Sequence, residues 1–340
     1  MSKNREIWID ALRGVTVTLV VLHHCRLAVT TLLRQAGTDF HNLVDNVDDL
    51  IGLVRIPAFL ICSGIVFSGP AQRGWRWFVG RRLGWTLWIA LVWGWLQLAV
   101  MYLGVPLYPW LDGNLPTRLN LMLLDPVGNM WFIYAIALLG TFCMILRPAG
   151  KTVTIAAAAL LSALIIETLG RMDLPPGLHL TAWNLGIRGF MFFALGFVFA
   201  QQLKQPRRGH WTTFVVAILI WAGCYLLYLN AETFRSYHRL ALAIPATLAA
   251  IHMLQFLLAR LPQAAEAAAF LGRRSLEIFL LHQFFVAACF MLLRPLAGTV
   301  PGLGILAIMF AATLLASVAA AGLLRGLPGN PMFSTRAMAT

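Results

Sequence analysis

Long, mostly apolar runs recur along the whole chain, for example at 15–22, 85–103 and 303–324. They do not alternate with the period of two that marks a strand, and they outrun the length of a membrane β-strand. Many approach the ~20 residues that a helix needs to cross a bilayer. Ten spans are predicted, at 8–33, 47–68, 79–103, 128–146, 152–169, 184–203, 211–229, 239–259, 271–293 and 303–324. The fourth is short, and the "LNLMLLD" stretch before it reads as a re-entrant or interfacial piece. Polar breaks between runs are brief, and no linker separates domains. The expected fold is all-α: a single polytopic membrane domain whose helices surround a polar intramembrane cavity.

Composition supports this. Of 340 residues, 60% are hydrophobic and 11% charged, where a soluble domain carries about a quarter charged. The net charge of +13 would suit nucleic acid, but the basic residues are scattered between apolar runs and build no soluble module, so nucleic acid is excluded as a partner. Their distribution sets an orientation instead. Sixteen fall on one side of the ten spans, six on the other and four within spans, so the positive-inside rule puts both termini in the cytoplasm. The acidic loop "GTDFHNLVDNVDD" then lies outside. The five cysteines all sit inside apolar runs without C-x-x-C spacing. They read as small buried residues, and no metal is expected. The start, "MSKNREIWID", is too polar for a cleaved signal peptide, so the first span should stay attached. Only three of the 26 basic residues are lysine, a bias that suggests a GC-rich bacterial genome and hence the bacterial inner membrane.

Against this apolar background the ionisable residues stand out. Arg13, His23, His24, Arg26, Arg55, Glu167, Arg188, His252, Glu277 and His282 fall within or at the edges of spans. Facing lipid each would be costly, so they should face a shared interior, and such groups mark function by default. In the first span Arg13 and His24 are 11 positions apart, about 20° around the helix and ~16 Å along it. Asp10 lies within about 40° of His24 on the same stripe, whereas His23 points ~100° away. A stripe with a cation at the inner mouth and a base deep in the membrane suits a ligand with an anionic head and a reactive end. Arg26 reads as an anchor at the outer interface. A weak internal echo, "VRIPAFLICSGIVF" against "IRGFMFFALGFVF", is what any two helices rich in Phe and Gly would show.

Four stretches resemble the acyltransferase-3 family of integral membrane acyltransferases. "WIDALRGVTVTLVVLHH" is similar to its opening helix, D-x-x-R-G followed by an apolar run and a histidine. The Arg is Arg13 and the His at the family's spacing is His24; His23 stands where a small residue is usual. "VRIPAFLICSGIVFS" resembles its second helix through Arg55, Pro57, Phe59, Ser63 and Gly64. "GNMWFIYAIALL" resembles a later span through Trp131, and "FLGRRSLEIFLLHQFF" its late helix through Ser275, Glu277 and His282. The family's R-x-x-R pair at the inner end of the third helix is broken here: Trp85 follows Arg82 at that spacing, and Arg81, Arg76 or Arg73 could supply the second charge.

The resemblance implies an O-acyltransferase that moves an acyl group, commonly acetyl, from cytosolic acyl-CoA to a hydroxyl, often on a cell-surface glycan or lipid-linked acceptor. Some relatives carry an added SGNH hydrolase-like domain. This chain runs about 16 residues past its last span, so a stand-alone enzyme is expected, which transfers directly or hands over to a separate extracytoplasmic partner. An alcohol needs a base in the transition state, and imidazole suits the task. His24 is the candidate base, with Asp10 or Glu277 to orient a histidine and His282 lining the cavity or relaying. Arg13, Arg81 and Arg82 would hold CoA phosphates. Ser63, Trp131 or Arg55 would steady the oxyanion, and His23 would shape the acceptor side. The competing class is a proton-coupled secondary transporter or flippase, which would also use interior Arg, His and Glu.

Overall fold

The computed structural model describes residues 3–38, 43–110, 126, 128–169, 172, 188–205, 210–229 and 236–326. Among these the chain is helical, with no strand. The helices are α1 (Lys3–Gln35), α2 (Leu43–Ala71), α3 (Trp75–Tyr102), α4 (Met130–Leu146), α5 (Lys151–Leu169), α6 (Phe190–Val198), α7 (Trp211–Leu229), α8 (Ser236–Arg260), α9 (Pro262–Gly272), α10 (Ser275–Leu293) and α11 (Gly302–Arg325). Ala200–Leu203 adds one further turn after α6.

Seven helices among the described residues are long and apolar enough to cross a membrane: α1, α2, α3, α4, α8, α10 and α11. Lys151–Ile165 and Trp211–Leu227 are shorter apolar helices at the fifth and seventh predicted spans. The sixth predicted span, 184–203, starts outside the described residues and then contains α6. The "LNLMLLD" stretch also lies outside them. Leucines and tryptophans point outward, among them Leu87, Leu91 and Trp95 of α3 and Leu219 of α7. The bilayer is their solvent, and the protein is integral to the membrane.

Glycines set the two tightest crossings. A Cβ on Gly14 of α1 would collide with the Ala268 carbonyl of α9, and one on Gly272 with the Asp10 carbonyl. Likewise a Cβ on Gly64 of α2 would strike the Phe193 carbonyl of α6, and one on Gly196 the Ile61 carbonyl. Small residues let backbones touch where lipid offers no hydrophobic push. The two segments of the internal echo thus pack directly on each other through their glycines. Pro57 inside α2 frees the Leu53 carbonyl, and Thr247 Oγ1 of α8 donates to that oxygen at 3.4 Å. A neighbouring hydroxyl meets the backbone need that proline creates in a membrane helix.

Candidate active site

The α1–α9 crossing brings two sequence motifs together. With Gly14 packed on α9, Arg13 reaches α10 and donates from Nη2 to Ser275 Oγ at 2.9 Å. Asp10 Oδ1 lies 3.4 Å from Arg13 Nη1. Beside them opens a cavity of about 360 Å³ lined by Arg13, Arg82, Arg273 and Arg325, with Ser63, Ser275 and Glu277. Arg82 arrives there by an irregularity of α3: residues Phe78–Leu83 form a π-helical turn, a device that re-aims side chains and recurs at functional sites. Arg82 then lines the cavity while Arg81 is exposed. The Arg82 guanidinium lies over the rings of Phe67 (4.3 Å) and Trp85 (5.2 Å), and its buried Nε has no hydrogen-bond partner among the described residues. Glu277 is the cavity's carboxylate. It accepts from Arg325 Nε at 2.6 Å, while Arg325 Nη2 donates to the Arg273 carbonyl.

Three turns further along α1, His24 meets His282 of α10. His282 is fully buried, and its Nδ1 lies 3.1 Å from the Ile278 carbonyl one turn back. A carbonyl only accepts, so Nδ1 carries the proton and Nε2 of the neutral ring is an acceptor. His24 Nδ1, 3.0 Å from that Nε2, is therefore the donor. The remaining lone pair of the neutral dyad is on His24 Nε2. Trp110 stacks on the His24 ring with centroids 5.7 Å apart and planes at 22°.

Trp110 is held from below. The segment after α3 folds back beside it, with Leu107 and Tyr108 buried; non-helical backbone is tolerated at this depth where protein covers it. The Tyr108 hydroxyl lies 2.7 Å from Gln97 Oε1 and 2.8 Å from Asn129 Oδ1. Gln97 Nε2 donates to Asn129 Oδ1 (3.1 Å), and Asn129 Nδ2 to the Phe279 carbonyl of α10 (2.7 Å). Between this layer and the cationic cavity lie three buried rings. Phe59 and Phe132 stack at 4.4 Å and 4°, and Phe279 leans on both at 5.7 and 5.5 Å.

A second polar cluster flanks the dyad. Asp48 of α2 accepts from Arg55 Nη1 at 2.7 Å, lies 2.9 Å from His23 Nδ1 and 3.3 Å from Arg26 Nη2. His23 in turn meets His24 edge-on at 5.4 Å.

The structure thus brings Arg13, Arg82, Ser63 and Glu277 to one cavity and pairs His24 with His282. Asp10 joins Arg13 and Glu277 joins Arg325. Arg55 joins Asp48 outside the cavity lining. Arg26, read as an interface anchor, has its side chain only 16% exposed and pairs inward. Ser63 Oγ donates to the Phe59 carbonyl within its own helix at 2.9 Å, and Trp131 packs edge-on against Phe132. Sequence reasoning missed Asp48, Trp110, Arg273 and Arg325. Arg273 and Arg325 counted only as orientation charges, although Arg273 lies within the quoted "FLGRRSLEIFLLHQFF" stretch.

A family model described as an acyltransferase domain matches residues 6–322. The chain is also similar to nodulation protein NolL of Mesorhizobium japonicum, at 27% identity over 252 residues, covering 71% of this chain and 61% of NolL. The chain thus spans about three fifths of that relative's length. No solved structure matches it.

Proposed function

The chain belongs to the acyltransferase-3 family, and from that footing we propose that it is an O-acyltransferase drawing on acyl-CoA at the cytoplasmic face and acylating a hydroxyl on the outer side of the bacterial inner membrane. Both termini are cytoplasmic in this reading, which puts the Arg13 end of the bundle inside. The acyl group is acetyl and the acceptor a glycan or lipid-linked sugar.

The observation that carries the reading is the His24–His282 bond above a cationic cavity. Arg13, Arg82, Arg273 and Arg325 offer planar donors for the phosphates of the donor. The acyl thioester extends from there toward the dyad. His24 Nε2 takes the proton of the attacking hydroxyl as its oxygen bonds to the thioester carbon. Collapse of the tetrahedral intermediate breaks the carbon–sulfur bond, and the proton passes to the departing thiolate. The products are the O-acyl ester and free CoA. His282 holds the His24 ring and its tautomer, the service that a carboxylate gives in a hydrolase triad. Desolvation by the surrounding helices strengthens each of these contacts.

The test is release of free CoA thiol from acetyl-CoA by the purified full chain, run with a panel of hydroxyl acceptors. Acceptor-dependent release that His24→Ala abolishes, while that variant stays folded and still binds CoA, is the expected result. Full transfer by folded His24→Ala protein would overturn the assignment of the base.

A further inference from the structure

We propose that Phe59, Phe132 and Phe279 form a closed aromatic seal between the donor cavity and the histidine dyad, and that these rings limit the acyl chain to a short one. The proposal rests on the acyl-CoA reading above and adds to it the residues that set the length of the acyl group.

The geometry is specific. All three phenylalanines line the cationic cavity, and neither His24 nor His282 does. The rings come from three different helices, α2, α4 and α10, and close on one another at 4.4, 5.5 and 5.7 Å. All are buried. On the far side Phe279 sits 5.9 Å from the His282 ring. Among the described residues the three rings therefore adjoin the cavity on one side and, through Phe279, the dyad on the other. Ser275, at the cavity, and His282 are seven residues apart on α10, or ~10 Å.

An acyl-CoA enters with its acyl end leading. With its phosphates at the arginines and its thioester in the cavity, every carbon beyond the carbonyl extends into the closed rings. Two carbons ask only for small ring rotations. A six- or eight-carbon chain needs the volume that the stacked Phe59–Phe132 pair fills. Close-packed interiors discriminate single methylenes steeply. The rings are also wired to the outer layer, because the Phe279 carbonyl accepts from Asn129, whose partner Tyr108 adjoins Trp110 over His24. Ring movement at the seal and movement at Trp110 share this connection.

The test is calorimetric titration of the full-length purified protein with CoA, acetyl-, butyryl-, hexanoyl- and octanoyl-CoA. Native protein should bind CoA and acetyl-CoA comparably and the hexanoyl and octanoyl forms weaker by about tenfold or more. Phe132→Ala should recover most of that loss for the long chains, raising the ratio of octanoyl- to acetyl-CoA affinity by about tenfold. Phe132→Leu, which keeps an apolar side chain and protects the fold, should fall between. Native protein that binds octanoyl-CoA as tightly as acetyl-CoA would overturn the proposal. So would variants whose chain-length profile matches that of native protein. Binding of no CoA form at all would instead strike the acyl-CoA reading beneath it.

Discussion

His282 Nε2 lies 3.0 Å from His24 Nδ1, and the carbonyl of Ile278 fixes which of the two rings donates. In the proposed mechanism this relationship makes His282 a positioning residue for His24. His282→Phe fills the space without an acceptor, so turnover should fall by about 100-fold, within the range of lost acid–base catalysis. The half-saturating donor concentration should barely move. His282→Gln keeps an acceptor oxygen at this level and should recover part of the turnover. Steady-state kinetics separates these outcomes, and a matched rise in donor KM for His282→Phe would count against a positioning role.

Arg82 should matter far more than its neighbour. It lines the proposed donor cavity with its guanidinium resting on Phe67 and Trp85. Loss of a charge-assisted contact costs about 1.5–3 kcal/mol, so Arg82→Ala should raise the donor KM by roughly ten- to a hundredfold. Arg81 is exposed, and Arg81→Ala should stay within about 0.5 kcal/mol of native. Kinetics across a salt series checks this, because screening weakens the exposed charge first.

Asp48 should be a stability residue. It faces Arg26, Arg55 and His23 at once, and its side chain is 13% exposed. Asp48→Asn leaves buried cations without their carboxylate, which costs about 3–5 kcal/mol. The neighbouring exposed Asp49→Asn should cost no more than about 0.5 kcal/mol. Thermal unfolding of both variants in detergent compares them, and equal melting points would refute the role.

The glycines separate in the same way. Gly14→Val forces a side chain into the Ala268 carbonyl of α9, and overpacking of this kind costs ~1–3 kcal/mol or more. Because the crossing also delivers Arg13 to Ser275, donor affinity should fall with stability. Gly223 of α7 has open space around it, and Gly223→Ala should stabilise by about 0.5–1 kcal/mol through helix propensity alone. Melting curves and CoA titration of the two variants provide the check.

The membrane class was legible because each helix carries its own signature: an apolar run of bilayer length. The Arg13–His24 stripe was legible for the same local reason, since phase along one helix is arithmetic. Partnerships between helices were not. Nothing in the spacing of α10 says that Glu277 turns to Arg325 while His282 turns to His24, because both depend on how α10 packs against α1 and α11. Asp48 was hidden by its setting. An acidic stretch between two apolar runs reads as a solvated loop, yet α2 begins at Leu43 and carries Asp48 into the bundle. Trp110 was hidden because a tryptophan in a loop between spans carries no period at all.

The stacked phenylalanines also bear on the cell that houses the protein. In the proposed reading the site joins a cytoplasmic donor to an outer acceptor, a potential short circuit, since a continuous wet path would let protons run down the membrane voltage at ~2.3 kcal/mol per charge per 100 mV. Three buried rings between the arginine-lined cavity and the histidine dyad are a dielectric plug at that point. In that reading chemistry crosses the membrane while current does not.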